Sequence, residues 1–435
     1  MRILLINANM YHQHGFLSEL VYKLNSNPIL VLAQIAGATP PGHELKLLDD
    51  RYDDPFSDDE YDLVGISCVT PSAPRAYEIA DWYRNQGNLV VLGGIHPTAM
   101  PEEAKQHADA VVIGEAEASW PQVLKDAETG SLQPFYRQHQ PITPDKIAIP
   151  QHELLRVQPL FTAVAPSRGC PYHCSFCTLT HMHGSEYRPR PIESVVEEIK
   201  RSPRRFLVFL HDASLTINPD YAKALFKAMI PLKRNFIAYG SAPVLFKDDE
   251  LLKLSKQAGC VIWCVGFESI CQDSLMNDAQ KRYTVENYDA LVKKIHNNHM
   301  SMFGSFVFGF DHDTPDIFDK TLQAAYDFGI DAAEFNILTP FPITRLFKQL
   351  EQDGRILTRD WTKYDLHHVV FRPKLMTPEE LHDGFSHVSN KFYSPLKTMQ
   401  RIANVTLKNR RFPNILVVGG MNAVMFRFHL EYTLF

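Results

Sequence analysis

Three cysteines stand within eight residues of the chain, at Cys170, Cys174 and Cys177, with the spacing C-x3-C-x2-C. Thiolates are the usual ligands of iron–sulfur clusters, and a four-iron cluster is normally held by four of them. This motif supplies three, so it leaves one iron open to a small molecule, as catalytic metal sites keep one position open. The spacing therefore predicts a 4Fe–4S cluster that binds a further ligand.

A zinc site or a structural cysteine cluster is the alternative interpretation of the same thiols. Structural zinc is bound tetrahedrally by four Cys or His ligands. His173, His181 and His183 lie close enough in the sequence to supply the fourth ligand. The cysteine spacing alone leaves both metal centres open.

The residues around the motif favour the cluster. Arg168 and Gly169 lead into it, and Phe176 stands directly before its last cysteine. With these residues the segment closely resembles the cluster loop of the radical S-adenosylmethionine (radical SAM) superfamily. In that superfamily the open iron binds the amino and carboxylate groups of S-adenosylmethionine, and an electron from the cluster cleaves the sulfonium to a 5′-deoxyadenosyl radical. The resemblance implies the same catalytic role for the three cysteines.

The composition is that of an ordinary soluble globular protein. The chain has 435 residues, 45% of them apolar and 22% charged, which allows two or three domains. A formal net charge of -6 disfavours nucleic acid as a partner, because such binding depends on Lys and Arg that neutralise phosphates.

The cysteine usage and the apolar segments indicate a cytoplasmic protein. Seven cysteines, three of them in one motif, do not form the pattern of a disulfide framework. Residues 1–7 enter a strand at once, without the layout of a signal peptide. The apolar run 415–426 is too short for a transmembrane segment, so we expect it to be buried core.

Short β-rich runs alternate with helical stretches over residues 2–115. The predicted strands are 2–7, 44–48, 63–68, 89–92 and 110–113. Such alternation predicts an α/β fold with a Rossmann-like, doubly wound parallel sheet, in which ligands bind beyond the carboxyl ends of the strands. We place this first domain at residues 1–135 and a Pro-containing linker at 136–160.

The loops after the third, fourth and fifth predicted strands are rich in glycines, hydroxyl groups and carboxylates. Adjacent glycines let a flat ligand lie against the backbone, and hydroxyl groups hydrogen-bond its polar rim. This arrangement resembles the cobalamin-binding domain that precedes the cluster domain in one large radical SAM subgroup. The resemblance implies that cobalamin contacts Ser67, Thr70, Gly93, Gly94, His96, Thr98, Gly114 and Glu115. A Rossmann-like scaffold without a cofactor is the alternative.

A histidine after the first strand raises the question of a cobalt ligand. Many cobalamin proteins supply the lower axial ligand from a D-x-H-x-x-G loop at this place. Here the loop keeps His12 and Gly15 but has Met10 in place of the aspartate. A carboxylate usually orients such a histidine, and the radical SAM subgroup commonly lacks this ligand. We therefore expect His12 to be an ordinary loop residue, with cobalt ligation as the alternative.

Six further strand–helix units follow the linker. Their predicted strands are 161–165, 206–211, 235–240, 260–266, 302–310 and 332–338. They predict a partial (β/α)6 barrel over residues 161–345, with its active site at the carboxyl ends of the strands. Thr377 then starts a helix with a capping box, so we expect a mostly helical C-terminal extension at 346–435. By resemblance, this extension shapes the substrate site.

Four residues near the predicted strand ends resemble contacts to S-adenosylmethionine. The segment around Glu268 resembles the G-x-E-S motif of the family, whose carboxylate accepts hydrogen bonds from the ribose; an exposed acid at a helix start is the alternative. Asn336 suits the adenine edge, and Asp212 suits the methionine ammonium, although His211 replaces an aspartate of the family. Arg188 suits the methionine carboxylate, or is a solvated loop residue.

The loop after the sixth strand departs from the family pattern. Residues 341–344 resemble a P-G-T turn, with Ile343 in place of the glycine. Positive φ is a genuine outlier for a β-branched residue. We therefore expect this loop to be reshaped.

These features together identify the chain as a member of the cobalamin-dependent radical SAM enzymes. The resemblance implies that the adenosyl radical abstracts hydrogen from an unactivated carbon of a small molecule, and that methylcobalamin delivers a methyl group to it. Oxidation or cyclisation without methyl transfer is one alternative, and a noncatalytic cobalamin or S-adenosylmethionine sensor is another. An external electron donor of the flavodoxin or ferredoxin type is also implied. The sequence does not name the substrate.

Overall fold

The structure is a computed structural model that describes residues 1–10, 29–138, 140–156, 161–202, 206–279, 281, 283–407 and 412–433. Two parallel sheets follow one another along the chain, and a helical region follows them.

The first unit is a parallel sheet of six strands. These are β1 (Arg2–Asn7), β2 (Glu44–Asp49), β3 (Leu63–Ser67), β4 (Leu89–Gly93), β5 (Ala110–Ile113) and β6 (Phe135–Arg137), in the order β2-β1-β3-β4-β5-β6. Its helices are α1 (Val31–Ala38), α2 (Ala73–Asn85), α3 (Ile95–Ala99), α4 (Pro101–Lys105) and α5 (Trp120–Glu128). Leu4 and Ile6 of β1 join one core, and Ile3 and Leu5 join the other. The sheet is therefore covered on both faces, since successive strand residues point to opposite sides.

The second unit is another parallel sheet of six strands. These are β7 (Phe161–Val164), β10 (Leu207–Leu210), β11 (Phe236–Tyr239), β12 (Cys260–Glu268), β13 (Ser301–Phe308) and β14 (Ala332–Ile337), paired in that order. Between β7 and β10 lies a short antiparallel pair, β8 (Ser167–Arg168) and β9 (Arg188–Pro189). The helices are α6 (Leu179–His183), α7 (Ile192–Arg201), α8 (Pro219–Met229), α9 (Ala242–Lys247), α10 (Asp249–Ala258), α11 (Tyr288–Asn297) and α12 (Ile317–Phe328).

The C-terminal region is helical. Its helices are α13 (Arg345–Gln352), α14 (Pro378–Phe392), α15 (Pro395–Leu407) and α16 (Phe412–Thr433). Thr377 and Glu380 form the predicted capping box of α14, with Thr377 N donating to Glu380 Oε2 at 2.7 Å. Across the described part of the chain, no helix is long and apolar enough to cross a membrane.

Single turns of helix connect many of these elements. The 3-10 turns are Thr70–Ser72, Ala116–Ala118, Pro144–Lys146, His152–Leu154, Leu215–Ile217, Ile230–Leu232, Val285–Asn287 and Trp361–Lys363, and one π turn spans Ser274–Asp278.

The inner face of the second sheet changes from apolar to polar along its strands. Near the strand starts, four apolar side chains pack against Val417 and Val418 of α16. They are Leu207, Ile237, Phe303 and Ala332. Further along the same face come Glu334 and Asn336 within β14, Tyr239 at the end of β11 and His211 just beyond β10. Helix α16 therefore closes one end of the barrel and leaves a polar mouth at the other.

The predicted fold class is confirmed: a Rossmann-like parallel sheet, a partial barrel of six βα units and a helical C-terminal region. Sequence reasoning missed β6. Its three residues extend the first sheet to Arg137, into the predicted linker, and are too few to show a periodic pattern. The run 415–426 contributes buried Val417 and Val418, as expected, but Leu416 is exposed.

Candidate active site at the mouth of the barrel

The cysteine loop is closed at its base by the pairing of β8 with β9. Gly169 opens the loop with a φ of 78°, and a Cβ at this position would lie 1.9 Å from the carbonyl oxygen of Glu186. Cys170 N donates to the Gly184 carbonyl at 3.2 Å. Only glycine fits at the start of the loop, and this close approach folds the three cysteines back towards the sheet.

The segment after β14 holds the tip of the loop. Leu346 N donates to the Ser175 carbonyl at 3.0 Å, and the Arg345 guanidinium donates to the His173 carbonyl. Ser175 Oγ donates to the Asp278 carbonyl at 2.7 Å. The loop is therefore fixed to α13 and to the turn that follows β12.

The three thiols lie within electrostatic range of one another. Burial, with the negative charge of Cys174 and Cys170, raises the pKa of Cys177 to about 11. Burial also raises the pKa of Cys170 and of Cys174, and the Lys281 ammonium opposes it at both. Metal binding needs the thiolate, so uptake of iron releases these protons.

The donor set fits a four-iron cluster. It consists of three soft thiols on one loop, and iron–sulfur clusters are bound by such thiolates. In the part of the chain that the structure describes, no group of three or more His, Cys, Asp or Glu side chains is arranged around a single metal ion.

Glu268 ends β12 as a buried carboxylate with a φ of 60°. The Lys281 ammonium donates to this carboxylate and to the Gly266 carbonyl, the latter at 3.2 Å. Burial works to lower the pKa of Lys281, but the Glu268 charge outweighs it and raises the pKa. Glu268 is therefore an ion-paired group at the mouth and not an exposed acid at a helix start.

Sequence reasoning missed Lys281. A lysine in a polar loop is usually solvent-exposed, and no repeat or motif marks this one. Its ammonium nevertheless interacts with Cys170, Cys174 and Glu268, so it lies between the cluster loop and the end of β12.

Asp212 and Asn336 are both buried at the carboxyl ends of their strands. Asp212 accepts hydrogen bonds from Ser167 Oγ at 2.5 Å and from Ser214 N at 3.0 Å, and burial raises its pKa. Asn336 Oδ1 has no hydrogen-bond partner among the described residues. A buried acceptor without a partner fits a donor group on a ligand, so Asn336 suits the predicted S-adenosylmethionine site.

The edge of the first sheet brings together the predicted cobalamin contacts. Ser67 and Gly93 are paired residues at the ends of β3 and β4. Gly94 has a φ of 103°, and a Cβ there would lie 2.5 Å from the Cys68 carbonyl oxygen, so this glycine lets the two loops meet. Thr70 Oγ1 is buried without a hydrogen-bond partner among the described residues. Its free hydroxyl fits the polar rim of a bound cofactor.

The same edge contacts the helix that follows the cluster loop. Thr98 Oγ1 accepts a hydrogen bond from Gly114 N at 3.0 Å and lies 3.7 Å from the sulfur of Met182 in α6. His96 is fully buried, with Nε2 3.2 Å from Glu103 Oε1 and Nδ1 without a partner among the described residues. The two candidate cofactor sites therefore face each other across one boundary.

Glu115 joins the two domains. Its carboxylate accepts from Arg188 Nη2 at 2.6 Å and from His183 Nδ1 at 2.9 Å, and Arg168 lies 3.4 Å away. Burial works to raise the pKa of Glu115, but the hydrogen bonds from His183 and Arg188 outweigh it and lower the pKa to about 2. The structure thus engages both Glu115 and Arg188 with protein groups, and their contact with a cofactor stays a prediction.

Trp361, from the C-terminal region, covers the edge of the first domain. Its Nε1 donates to Glu103 Oε1 at 3.0 Å, and Glu103 also accepts from the Tyr77 hydroxyl at 3.0 Å. The indole centroid lies 5.3 Å from that of His96. The C-terminal region therefore shields His96 from solvent, and its role in shaping the substrate site stays a prediction.

Two further expectations concern single residues. Ile343 has a φ of 79°, so it adopts the left-handed conformation that a glycine would adopt, and the reshaping of the loop stays a prediction. The Thr344 side chain next to it caps α13 by accepting from Phe347 N at 3.1 Å. His12, the alternative cobalt ligand, lies outside the described residues.

A Rossmann-like sheet followed by a partial barrel, with three cysteines on the loop after the first barrel strand, defines the class of radical SAM enzymes that carry a cobalamin-binding domain. Family models agree along the chain. Residues 164–325 match the radical SAM superfamily, residues 17–124 match the B12-binding domain, and residues 344–417 match a domain of unknown function.

The relatives cover most of the chain. Two methyltransferases of Chlorobaculum tepidum are each 31% identical to this chain. The match to bacteriochlorophyllide d C-12(1)-methyltransferase covers 89% of this chain and 87% of that protein. The match to bacteriochlorophyllide d C-8(2)-methyltransferase covers 93% of both. The anaerobic magnesium-protoporphyrin IX monomethyl ester cyclase of Cereibacter sphaeroides is 27% identical over 76% of this chain and 60% of its own.

A solved structure has the same fold. The radical S-adenosylmethionine methyltransferase TsrM of Kitasatospora setae superposes with a TM-score of 0.70 at 16% identity, with 100% of both chains covered. This chain belongs to the cobalamin-dependent radical SAM family. It is an enzyme whose cofactors are a 4Fe–4S cluster, S-adenosylmethionine and cobalamin.

Proposed function

We propose that this enzyme methylates an unactivated carbon at the edge of a large planar macrocycle of the tetrapyrrole type. The single observation that carries the proposal is the full-length similarity to two bacteriochlorophyllide d methyltransferases.

When bound, the cluster with S-adenosylmethionine supplies hydrogen-atom abstraction, and cobalamin supplies the methyl group. The protein positions these groups and excludes water. Glu268, fixed by Lys281, would accept hydrogen bonds from the ribose hydroxyls, and Asn336 Oδ1 would accept one from the adenine amine. Asp212, which accepts a hydrogen bond from Ser167 Oγ, would bind the methionine ammonium.

The polar mouth of the barrel contributes the substrate contacts. Burial raises the pKa of Glu334, so its carboxyl group more readily keeps a proton to donate. Burial likewise lowers the pKa of His211 and raises that of Tyr239. A neutral imidazole, a phenol and a carboxyl group suit the carbonyl and carboxylate substituents of a tetrapyrrole without placing a charge against its apolar rings.

Oxidative ring formation is the second candidate function, favoured by the similarity to the magnesium-protoporphyrin IX monomethyl ester cyclase. That relative is less similar and much longer than the region it shares with this chain. Methylation leaves the product heavier by one CH2 group, whereas ring formation changes the count of hydrogen and oxygen atoms. The mass of the product therefore separates the two functions.

The test is anaerobic turnover followed by mass spectrometry. The protein is reconstituted with iron, sulfide and hydroxocobalamin and given S-adenosylmethionine, a reductant and a set of chlorophyllides and porphyrins. We expect a product heavier by one CH2, and with methyl-deuterated S-adenosylmethionine the label in that product. Cys174→Ala abolishes it, whereas Cys271→Ala, outside the loop, retains it. A product that has lost hydrogen or gained oxygen, without label, contradicts methylation.

We propose a flavodoxin or ferredoxin in the cytoplasm as the electron donor. Arg345 and Lys348 lie close enough to His181 to lower its pKa, after burial, so positive charge lies beside the cluster loop. Tyr172 of the loop is exposed. A basic surface over a shallow cluster suits an acidic donor. All seven cysteines are free thiols, which supports a reducing compartment.

A further inference from the structure

The most exposed apolar side chains of the described residues lie together in the C-terminal region. Leu407 is 80% exposed, Met399 69%, Phe412 68% and Leu396 67%, and among the residues whose exposure the structure describes, no other large apolar side chain exceeds about half. All four lie on α15 or at the first residue of α16. Isolated apolar residues at a surface are ordinary, but a contiguous apolar patch marks an interaction site.

On α15 these residues form one stripe. Leu396, Met399 and Leu407 are spaced three and eight residues apart, which places them on the same side of an α-helix. The opposite side carries Arg401 and Val405, which are buried. The helix is therefore apolar on its outer side as well as where it packs on the protein.

Buried polar contacts fix the orientation of this stripe. Arg401 donates to the Phe392 carbonyl at 2.6 Å and to Asn422 Oδ1 of α16 at 2.7 Å. Asn422 Nδ2 donates in turn to the Asp331 carbonyl at 2.9 Å, directly before β14. Helix α15 cannot turn its apolar side inward without breaking these bonds, so the stripe stays at the surface.

The charge of this region indicates what covers the stripe. Residues 384–430 contain seven Lys and Arg and no Asp or Glu, in a chain whose formal net charge is -6. Among them Lys391 and Lys397 are exposed beside the stripe. Apolar side chains flanked by cations, without a single acid, complement the headgroups and acyl chains of an anionic bilayer.

We propose that α15 and the start of α16 dock on the surface of an anionic lipid membrane, with Leu396, Met399, Leu407 and Phe412 inserted into the interface. Asn422 and Asn414 attach α16 at the strand starts, next to Asp331 and His299. The docking surface therefore lies at the end of the barrel opposite to the cluster loop. The enzyme is bound to the membrane by its closed end, and the mouth stays free for cofactors and electron donor.

The test is co-sedimentation of the reconstituted enzyme with lipid vesicles. We expect it to sediment with vesicles of phosphatidylglycerol and phosphatidylcholine in equal parts, to remain in solution with pure phosphatidylcholine, and to be released by salt. Leu396→Glu/Met399→Glu lowers the partition coefficient about tenfold or more, because the inserted apolar area becomes charged. Leu357→Glu/Leu375→Glu, at exposed apolar residues outside the patch, leaves it unchanged.

Cleavage of S-adenosylmethionine and iron content show whether the charged variant is folded, and both are expected to equal those of the wild type. Leu407→Glu provides a second variant at the far end of the stripe, with an expected partial loss. Absence of sedimentation at low salt overturns the proposal. So does a wild-type dimer in solution that Leu396→Glu/Met399→Glu dissociates, because a second copy of the chain then covers the stripe.

Discussion

Glu115 Oε1 accepts a hydrogen bond of 2.6 Å from Arg188 Nη2, and this bond joins the loop after β5 to the strand that closes the cysteine loop. His183 and Arg168 converge on the same carboxylate. The two domains are thus connected by a buried carboxylate among three basic side chains.

Glu115→Gln tests this connection. Removing one partner of a buried ion pair costs about 3–5 kcal/mol, so the free energy of unfolding at neutral pH falls by about that amount. Because the pKa of Glu115 is lowered to about 2 from 4.5, its contribution is complete above about pH 4.5 and is lost as the pH falls towards 2. The difference between wild type and variant therefore shrinks in acid, as urea unfolding at several pH values measures.

The matched control is Glu197→Gln. Glu197 pairs with Arg201 at 2.8 Å on the solvent side of α7, where an ion pair contributes roughly 0–1 kcal/mol. Equal losses in the two variants contradict the assignment of Glu115 as the connecting group.

Trp361→Phe tests the cover over the first domain. The variant removes the donor to Glu103 and keeps most of the ring, at a cost of about 1–3 kcal/mol. Hydrogen–deuterium exchange is expected to rise in residues 95–105 and 356–371. Trp120→Phe removes a bond of 2.9 Å to Thr39 Oγ1 within the first domain. This control is expected to raise exchange near α1 only. If the C-terminal region is equally protected in both variants, Trp361 does not act as a cover over the first domain.

Ile343→Gly tests the strain in the loop after β14. A non-glycine residue in such a conformation stores roughly 1–3 kcal/mol, which exceeds the roughly 0.5–1 kcal/mol of extra backbone entropy that glycine loses. The melting temperature is therefore expected to rise. Ile356→Gly, at a half-buried residue without positive φ, lowers it. A loss of stability in both variants shows that the Ile343 side chain contributes more than its backbone costs.

Single alanine substitutions at Cys170, Cys174 and Cys177 test the cluster. Each removes one of three thiolate ligands, so iron, sulfide and the visible absorption of the reconstituted protein fall sharply, and cleavage of S-adenosylmethionine is lost. Cys271→Ala is the control and keeps all three signals. Retention of the full iron content by any of the loop variants contradicts the assignment.

Much of the fold could be predicted, because both sheets are built from apolar runs whose length and spacing are distinctive. β12 and β13 are buried along most of their length, and their sequences show this directly. β6 could not be found, since three residues carry no period. The left-handed Ile343 could not be found either: its type argues against that conformation, and only its surroundings impose it.

Sequence reasoning proposed site residues where a local motif marks them, and it missed a pair that only folding brings together. The three cysteines and Glu268 stand in local motifs. The partner of Glu268 is thirteen residues away, at Lys281, and only folding brings the ammonium to the carboxylate. Arg188 is the converse case, because its type suits a cofactor carboxylate and the structure gives it a protein carboxylate, Glu115.

The hydrogen bonds from Leu346 and Arg345 to the cysteine loop bear on how the enzyme is made. A ribosome adds roughly 5–20 residues per second. Arg345, which holds the cysteine loop, lies 172 residues after His173, so it is synthesised roughly 10–35 s after the thiols. During that interval the three thiols of the nascent chain lack the contacts from residues 345 and 346 that fix their loop. We therefore expect exposure to oxygen during synthesis to reduce the yield of active protein more than exposure after folding.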